Sequence, residues 1–257
     1  MKIAYCFSGM IRHLDQCGTK WQEIIKNNPG DVYGHFWDKS DKCDGDTPKK
    51  FVQMFNPCNM ELENYEIFKE STVDILTKNI VPHYTLLSDI QHSILSGNFF
   101  SFHYKIWRAN LLSNSEKYDI VVRCRTDLFP LDINFEINDM LNLVPVGTVH
   151  VNGWPLSGGI LDMFAYGNRK NMNYYSCLYL YAIKYLFEGH YCYPFEHILS
   201  VHLSQKDMQV RQLPISIINN SGFCYNHWAE KNELINKTDK IPQADKSYYA
   251  YTENRLL

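Results

Sequence analysis

The segment from Tyr118 to Phe129 runs an apolar strand pattern into Arg123, Arg125 and Asp127. If the chain stays extended there, all three side chains project to one side, because strand side chains alternate. Two cations and a carboxylate on one spot are costly to bury unless they meet each other, a metal or an anionic ligand. The segment therefore suits a polyanion site better than a core. A simple Arg-Asp pair capping the strand would leave the second arginine without an evident partner.

Three further stretches carry groups of the same kind. In Phe7-Ser-Gly-Met-Ile-Arg12 a glycine turn after a strand exposes backbone amides beside Arg12, and turn amides of this sort hold phosphates. Ser8, Gly9 and Arg12 are the candidates there, although Ser-Gly turns are common. In Asp31-Val-Tyr-Gly-His-Phe-Trp-Asp38, His35 and Trp37 fall at the carboxyl end of a strand. Ligands of open α/β sheets bind outside such ends, and an aromatic ring there can lie against a base. A packed tryptophan with a satisfied histidine is the competing structural reading. Tyr104, Lys105, Arg108 and Asn110 share a helical stretch, with Lys105 and Arg108 on one face.

The general base has two candidates. In Tyr193-Pro-Phe-Glu-His-Ile-Leu-Ser-Val-His-Leu203, Pro194 opens a helix and leaves Glu196 and His197 in its first turn, with Ile198, Leu199 and Leu203 spaced to face a core. A carboxylate is favoured at that dipole end and can be presented to a cleft. Asp162, in Ser157-Gly-Gly-Ile-Leu-Asp-Met-Phe-Ala-Tyr-Gly167, is the other.

Elements able to position these groups follow from the pattern. Lys2 to Phe7 reads as a short apolar strand and Leu14 to Lys26 as a helix ended by Asn27-Asn-Pro-Gly30, with Asp31 to Trp37 as the next strand. Strand, helix and strand in succession imply an α/β unit with a parallel sheet. Asp38 to Lys50 reads as an exposed loop and Asn59 to Glu63 as a strand. Helices are expected over Glu66 to Asn79 and from Ser88 to Ser113, the latter with a break at Gly97-Asn98. A strand through Val121 and Val122, a mixed segment with Val149-His-Val151, one long helix from Asn168 to Leu186, a helix from Pro194 through Leu203 and a strand from Met208 to Leu213 complete the reading. Residues 1–228 are expected to form one domain and 229–257 a polar arm.

The chain has 257 residues, 45% of them hydrophobic, enough to bury one large core. A net charge of −3 provides no global basic field, so nucleic acid is not an expected partner and anion recognition must be local. No apolar run is long enough for a transmembrane segment, and Met1 to Ser8 reads as a strand rather than a leader. The expectation is a soluble, cytoplasmic protein. Eight cysteines without a CxxC or a ligand-like spacing imply reduced thiols rather than a zinc site.

Taken in order, Phe7 to Arg12, Asp31 to Trp37, Tyr118 to Leu128, Asp162 to Gly167 and Glu196 to Leu203 resemble a group of glycosyltransferase-like proteins from polysaccharide loci and large DNA viruses. The resemblance implies a GT-A-like α/β fold whose Rossmann-type, mostly parallel sheet is flanked by helices. It implies a nucleotide diphosphate sugar donor, a glycan acceptor, and an acidic motif that binds Mn²⁺ or Mg²⁺ at the donor pyrophosphate. Asp127 takes the metal position, but Arg125 stands where the first acid of Asp-x-Asp belongs. Two arginines can neutralise a diphosphate without metal. The expected donor-binding residues, from the residue reading and the resemblance together, are Ser8, Gly9, Arg12, His35, Trp37, Lys105, Arg123, Arg125 and Asp127. Glu196 matches the acidic helix start that supplies the base in inverting members, with His197 in place of the second acid.

Overall fold

The computed structural model describes residues 1–38, 47–74, 97–114, 117–130, 147–151, 160, 162–188, 195–212 and 217–219. The strands are β1 (Ile3–Gly9), β2 (Asp31–Trp37), β3 (Asn59–Glu63), β4 (Ile120–Cys124), β5 (Leu128–Pro130), β6 (Thr148–Val151), β7 (Ala165–Asn168), β8 (Gln209–Gln212) and β9 (Ile217–Asn219). Seven of them form one sheet in the order β3-β2-β1-β4-β7-β6-β8, while β5 and β9 pair separately. β3, β2, β1 and β4 are mutually parallel, β7 runs antiparallel to β4 and β6, and β6 is parallel to β8. The expected α/β class, a mostly parallel sheet flanked by helices, is the one observed.

Strands buried on both faces read as continuous apolar runs, and β1 does so. Its alternate residues enter two cores. Ala4 and Cys6 join Tyr33, Val121 and, from helix α4 (Asn98–Leu112), Phe99, Phe100, Ile106 and Ala109. Ile3, Tyr5 and Phe7 join Phe36, Val122, Leu14 and Trp21 of α1 (Leu14–Asn27), and Phe51 and Phe55 of α2 (Thr47–Phe55). The helices thus cover opposite faces and leave the carboxyl ends of the parallel strands as the common rim.

Several elements depart from the expectation. The end of the span assigned to a loop, Thr47 to Lys50, opens α2, whose Pro48 suits a first helical turn and whose Phe51 and Phe55, four apart and just beyond that span, bury one face. Residues 39–46 lie outside the described residues. Helix α3 (Tyr65–Phe68) passes into a π-helical turn, Lys69–Val73, and α4 starts after Gly97, whose φ of 67° is left-handed. The rest of these two expected helices, 75–79 and 88–96, is outside the described residues. The long helix from Asn168 is two, α5 (Arg169–Ser176) and α6 (Leu178–Phe187). At Cys177 the backbone N–H is shared between the carbonyls of Asn173 and Tyr174, at 3.2 and 3.1 Å, which tightens the turn and breaks the helix. Asn168 ends β7, and its side chain accepts from the Asn171 amide at 2.8 Å, so it caps α5 from outside. Helix α7 (Phe195–Ser204) and β8 lie where expected. The expected arm, 229–257, and the domain boundary at 228 lie outside the described residues. No described helix is long and apolar enough to cross a membrane.

Candidate functional site

The strand order contains a switch point. From β1 the chain proceeds to β2 and β3 on one side, whereas β4 pairs with the other side of β1. Connections that leave in opposite directions open a crevice at the carboxyl ends of the two strands, where ligands of open α/β sheets bind. Gly9 ends β1 at this crevice, and Arg125, Thr126 and Asp127 follow β4 there.

Gly9 has φ 108° with nothing within 4 Å of where a Cβ would sit, so backbone conformation rather than crowding calls for glycine. The two loops are stitched together. The Arg12 amide donates to Thr126 Oγ1 at 2.9 Å, and that hydroxyl donates to the Met10 carbonyl at 3.3 Å. Arg125 then grips Asp127 as a fork, Nε to Oδ1 at 2.8 Å and Nη2 to Oδ2 at 2.6 Å. Burial pushes the Asp127 carboxyl up, but the charge and hydrogen bonds of Arg125, with Arg12 behind them, hold it below the usual carboxylate value. This corrects the geometry expected from the sequence. β4 ends at Cys124, so Asp127 meets Arg125 because the chain turns, not because an extended strand alternates.

Arg123 lies deeper. It is 2% exposed, and its Nη1 donates to the Met163 carbonyl. Its Nε and Nη2 are buried with no hydrogen-bond partner among the described residues. The Phe102 ring lies against both guanidinium groups, 5.2 Å from Cζ of Arg123 and 5.9 Å from Cζ of Arg125.

Asp162 reaches the same rim from the other direction. Because β7 is antiparallel to β4, with Ala165 opposite Arg123, residues just before β7 sit beyond the carboxyl end of β4. Burial raises the Asp162 carboxyl, and the charges of Arg123 and Arg125 oppose that rise. Glu196, in the first turn of α7, is raised by burial and then by Asp162. The Ile160 amide donates to the Glu196 carbonyl at 3.0 Å and ties the two segments together. Ser8, Gly9, Arg12, Arg123, Arg125, Asp127, Asp162 and Glu196 are therefore gathered about one crevice.

His35, Trp37 and Lys105 have other partners. Lys105 Nζ is 3.4 Å above the Trp37 ring and donates to the Phe36 carbonyl at 3.0 Å and to Glu63 at 2.9 Å. Burial lowers the Lys105 ammonium to about 8 although Glu63 opposes it. Trp37 is packed by Tyr65, Phe68 and Tyr104, so the expected platform for a base is covered on this residue. His35 is fully buried, with Nε2 3.2 Å from Glu61 and 3.6 Å from Glu63, and burial, then Lys105 and Arg108, pull it down to about 2. His35 is the register partner of Ser8, one strand away from the crevice. The structure does not join these three to the arginines.

Glu61 and Glu63 were not singled out in the sequence. Their spacing two apart on β3, opposite Lys105 and Arg108 three apart on α4, was the available signal. Tyr175 was missed as well. Its hydroxyl is buried without a hydrogen-bond partner among the described residues and feels the charges of Arg123 and Asp162.

A divalent cation fits the described residues poorly. Both oxygens of Asp127 are taken by Arg125, and among the described residues no three His, Cys, Asp or Glu groups converge to hold a metal. What the crevice does present is arginine charge and turn amides, a donor set for an oxyanion.

No protein-family model matches the chain, and no curated protein matches it. Among solved structures it is similar to mouse xyloside xylosyltransferase 1 in its apo form, at 10% identity and a TM-score of 0.36, covering 82% of this chain and 84% of that one. Two structures described as a transferase, one a double cysteine-to-serine variant, are 13% and 12% identical with TM-scores of 0.35 and 0.34, each covering 80% of this chain and 84% of the other. Likeness this distant assigns no role, and the functional reading rests on the site.

Proposed function

We propose that the chain is a glycosyltransferase, a hexosyl- or pentosyltransferase that moves a sugar from a nucleotide diphosphate sugar to a glycan hydroxyl with inversion. The observation that carries this is the meeting, at the β1/β4 switch point, of a phosphate-suited turn and arginines with two carboxylates delivered from different segments. The donor diphosphate lies against the Gly9 turn, Arg12 and Arg125, with Arg123 adding charge from behind. As the bond from the anomeric carbon to the phosphate oxygen breaks, these groups stabilise the charge on the departing diphosphate. The acceptor oxygen bonds to the anomeric carbon, and its proton passes to a carboxylate on the opposite face. Glu196 suits that role better than Asp162, because it is partly exposed, whereas Asp162 is buried and the charges of Arg123 and Arg125 oppose its taking up a proton. Mn²⁺ or Mg²⁺ at Asp127 would supply further charge to the diphosphate, but the described residues do not build its cage and no step depends on it.

A second reading, a non-catalytic nucleotide-sugar-binding protein, is favoured by one observation: both oxygens of Asp127 are held by Arg125, and among the described residues no three His, Cys, Asp or Glu groups converge to hold a metal. A thermal-shift screen against nucleotide sugars, with and without Mn²⁺, followed by measurement of nucleoside diphosphate release with glycan acceptors, separates the two. Ligand binding raises the apparent stability by mass action. Stabilisation with product release supports the transferase, stabilisation without turnover supports the binder, and no stabilisation by any nucleotide sugar rejects both.

A further inference from the structure

Arg123 and Arg125 bring two guanidinium groups to one end of β4. Burial works against the charge of Arg123, and Arg125 adds like-charge repulsion. Asp127 offsets the charge of Arg125 through the fork, whereas the guanidinium of Arg123 donates to a neutral carbonyl, that of Met163. What the two cations share is the ring of Phe102 on α4, 5.2 Å from Cζ of Arg123 and 5.9 Å from Cζ of Arg125. A guanidinium within about 6 Å of a ring centroid is attracted by the negative face, more strongly where water is excluded. That attraction takes up none of the N–H groups, so it neither disturbs the fork nor competes with an anion for donors.

Helix α4 decides where that ring sits. Phe99, Phe102, His103 and Ile106 recur at helical spacing and face the sheet together. Phe99, His103 and Ile106 are buried, whereas Phe102 is partly buried and packs at the margin of the core. Arg123 lies opposite Cys6, which enters that same core, so α4 covers the face of the sheet from which Arg123 projects. Farther along the helix Lys105 and Arg108 tie α4 to β2 and β3 through the Phe36 carbonyl, Glu63 and Glu61, which fixes the ring in place. Leucine would fill the margin of a core equally well, but only an aromatic face attracts a cation. We infer that Phe102 is a positioning residue, whose ring holds the guanidinium groups of Arg123 and Arg125 in place for the diphosphate before the donor arrives. This deepens, and rests on, the transferase reading above. Donors already held in place need not be ordered by the ligand, so the ring raises affinity through the arginines.

The test replaces Phe102 in the full chain by mono-, di- and trifluorinated phenylalanine and, separately, by leucine. Each protein is titrated calorimetrically with uridine and guanosine diphosphates. Fluorine drains the negative face of the ring while nearly keeping its shape, so it weakens the attraction for the arginines and spares the packing. The expected result is an affinity that falls stepwise with fluorine number for the diphosphate the wild type binds. The loss should reach about five- to ten-fold in the trifluorinated ring and in Phe102→Leu. The melting temperature should fall along the same series although the rings become more apolar. A purely structural ring would leave both readouts level, and the fluorinated series carries the test even if Phe102→Leu does not fold. Affinity that is level or tighter across the fluorinated rings overturns the positioning role, while the bound diphosphate leaves the transferase reading intact. If the wild type binds neither diphosphate, the transferase reading fails and the positioning role fails with it.

Discussion

Replacing Arg125 with alanine probes the centre of the crevice through two separate readouts. In the wild type Arg125 holds Asp127 by a fork of 2.8 and 2.6 Å, with side-chain exposures of only 24% and 10%. Removing one partner of a buried pair costs about 3–5 kcal/mol. Arg125 is a quarter exposed and the charge of Arg12 still reaches Asp127, so a cost at or just below the bottom of that scale, roughly 2–3 kcal/mol, applies. For a chain of this length that lowers the melting temperature by about 5–10 °C. The pH dependence has a definite sign. In the wild type the folded Asp127 titrates below its unfolded value, so its contribution is present above that value and is lost as pH falls through the folded one. In Arg125→Ala burial acts against a weaker counter-charge, so Asp127 is protonated sooner and the gap between variant and wild type narrows as pH falls toward about 4. Binding is measured by titration calorimetry at a temperature where both proteins are folded. The loss of a charge-assisted phosphate contact should weaken nucleoside diphosphate affinity about ten- to a hundred-fold. A folded variant with unchanged affinity would show that Arg125 serves Asp127 alone. A variant with unchanged stability would show that the fork contributes nothing.

Three other outcomes follow from the same geometry. If a divalent ion does assist the donor, Asp127→Asn should abolish any Mn²⁺ enhancement of binding, because an amide is a poor ligand for a hard cation. A metal response that persists removes Asp127 from that role, and wild-type binding indifferent to chelator supports arginine alone. Glu196→Gln should bind donor normally and turn over about a hundred- to ten-thousand-fold more slowly, losing the acidic limb of its pH-rate profile. That phenotype in Asp162→Asn, with Glu196→Gln active, would reverse the assignment. Burial lowers His103 from the usual 6.5 to about 3, and His150 and His202 to about 4. The unfolded chain therefore takes up protons first, and their stability, complete above 6.5, is lost as pH falls below it, by up to about 1.4 kcal/mol per pH unit per histidine. His150→Phe, which keeps a ring beside Tyr166, should flatten that slope by about one proton in thermal melts from pH 7 to 5, and an unchanged slope would contradict it.

Local pattern was enough for β1, β2, β3, β4 and β8 of the sheet, but not for β6 and β7, and it picked out several of the charged residues that meet at the rim. Continuous apolar runs marked β1 and β4, a proline marked the start of α7, and Arg123, Arg125, Asp127, Asp162 and Glu196 stood out because charged groups bordering buried elements need partners. What those partners are was decided by the tertiary structure alone. Period-two alternation could not foresee the turn after Cys124 that brings Asp127 back onto Arg125. Nor could it reveal the antiparallel insertion of β7 beside β4, which carries Asp162 to the arginines across about forty residues of chain. Trp37 and Lys105 illustrate the same limit. Each looked like a ligand-binding group in its own element, and only the packing of α4 on β2 and β3 shows the ammonium seated on the indole and tied to Glu63. A side chain's type sets what it can bond to, whereas strand order and long-range contacts decide which candidate lies within reach.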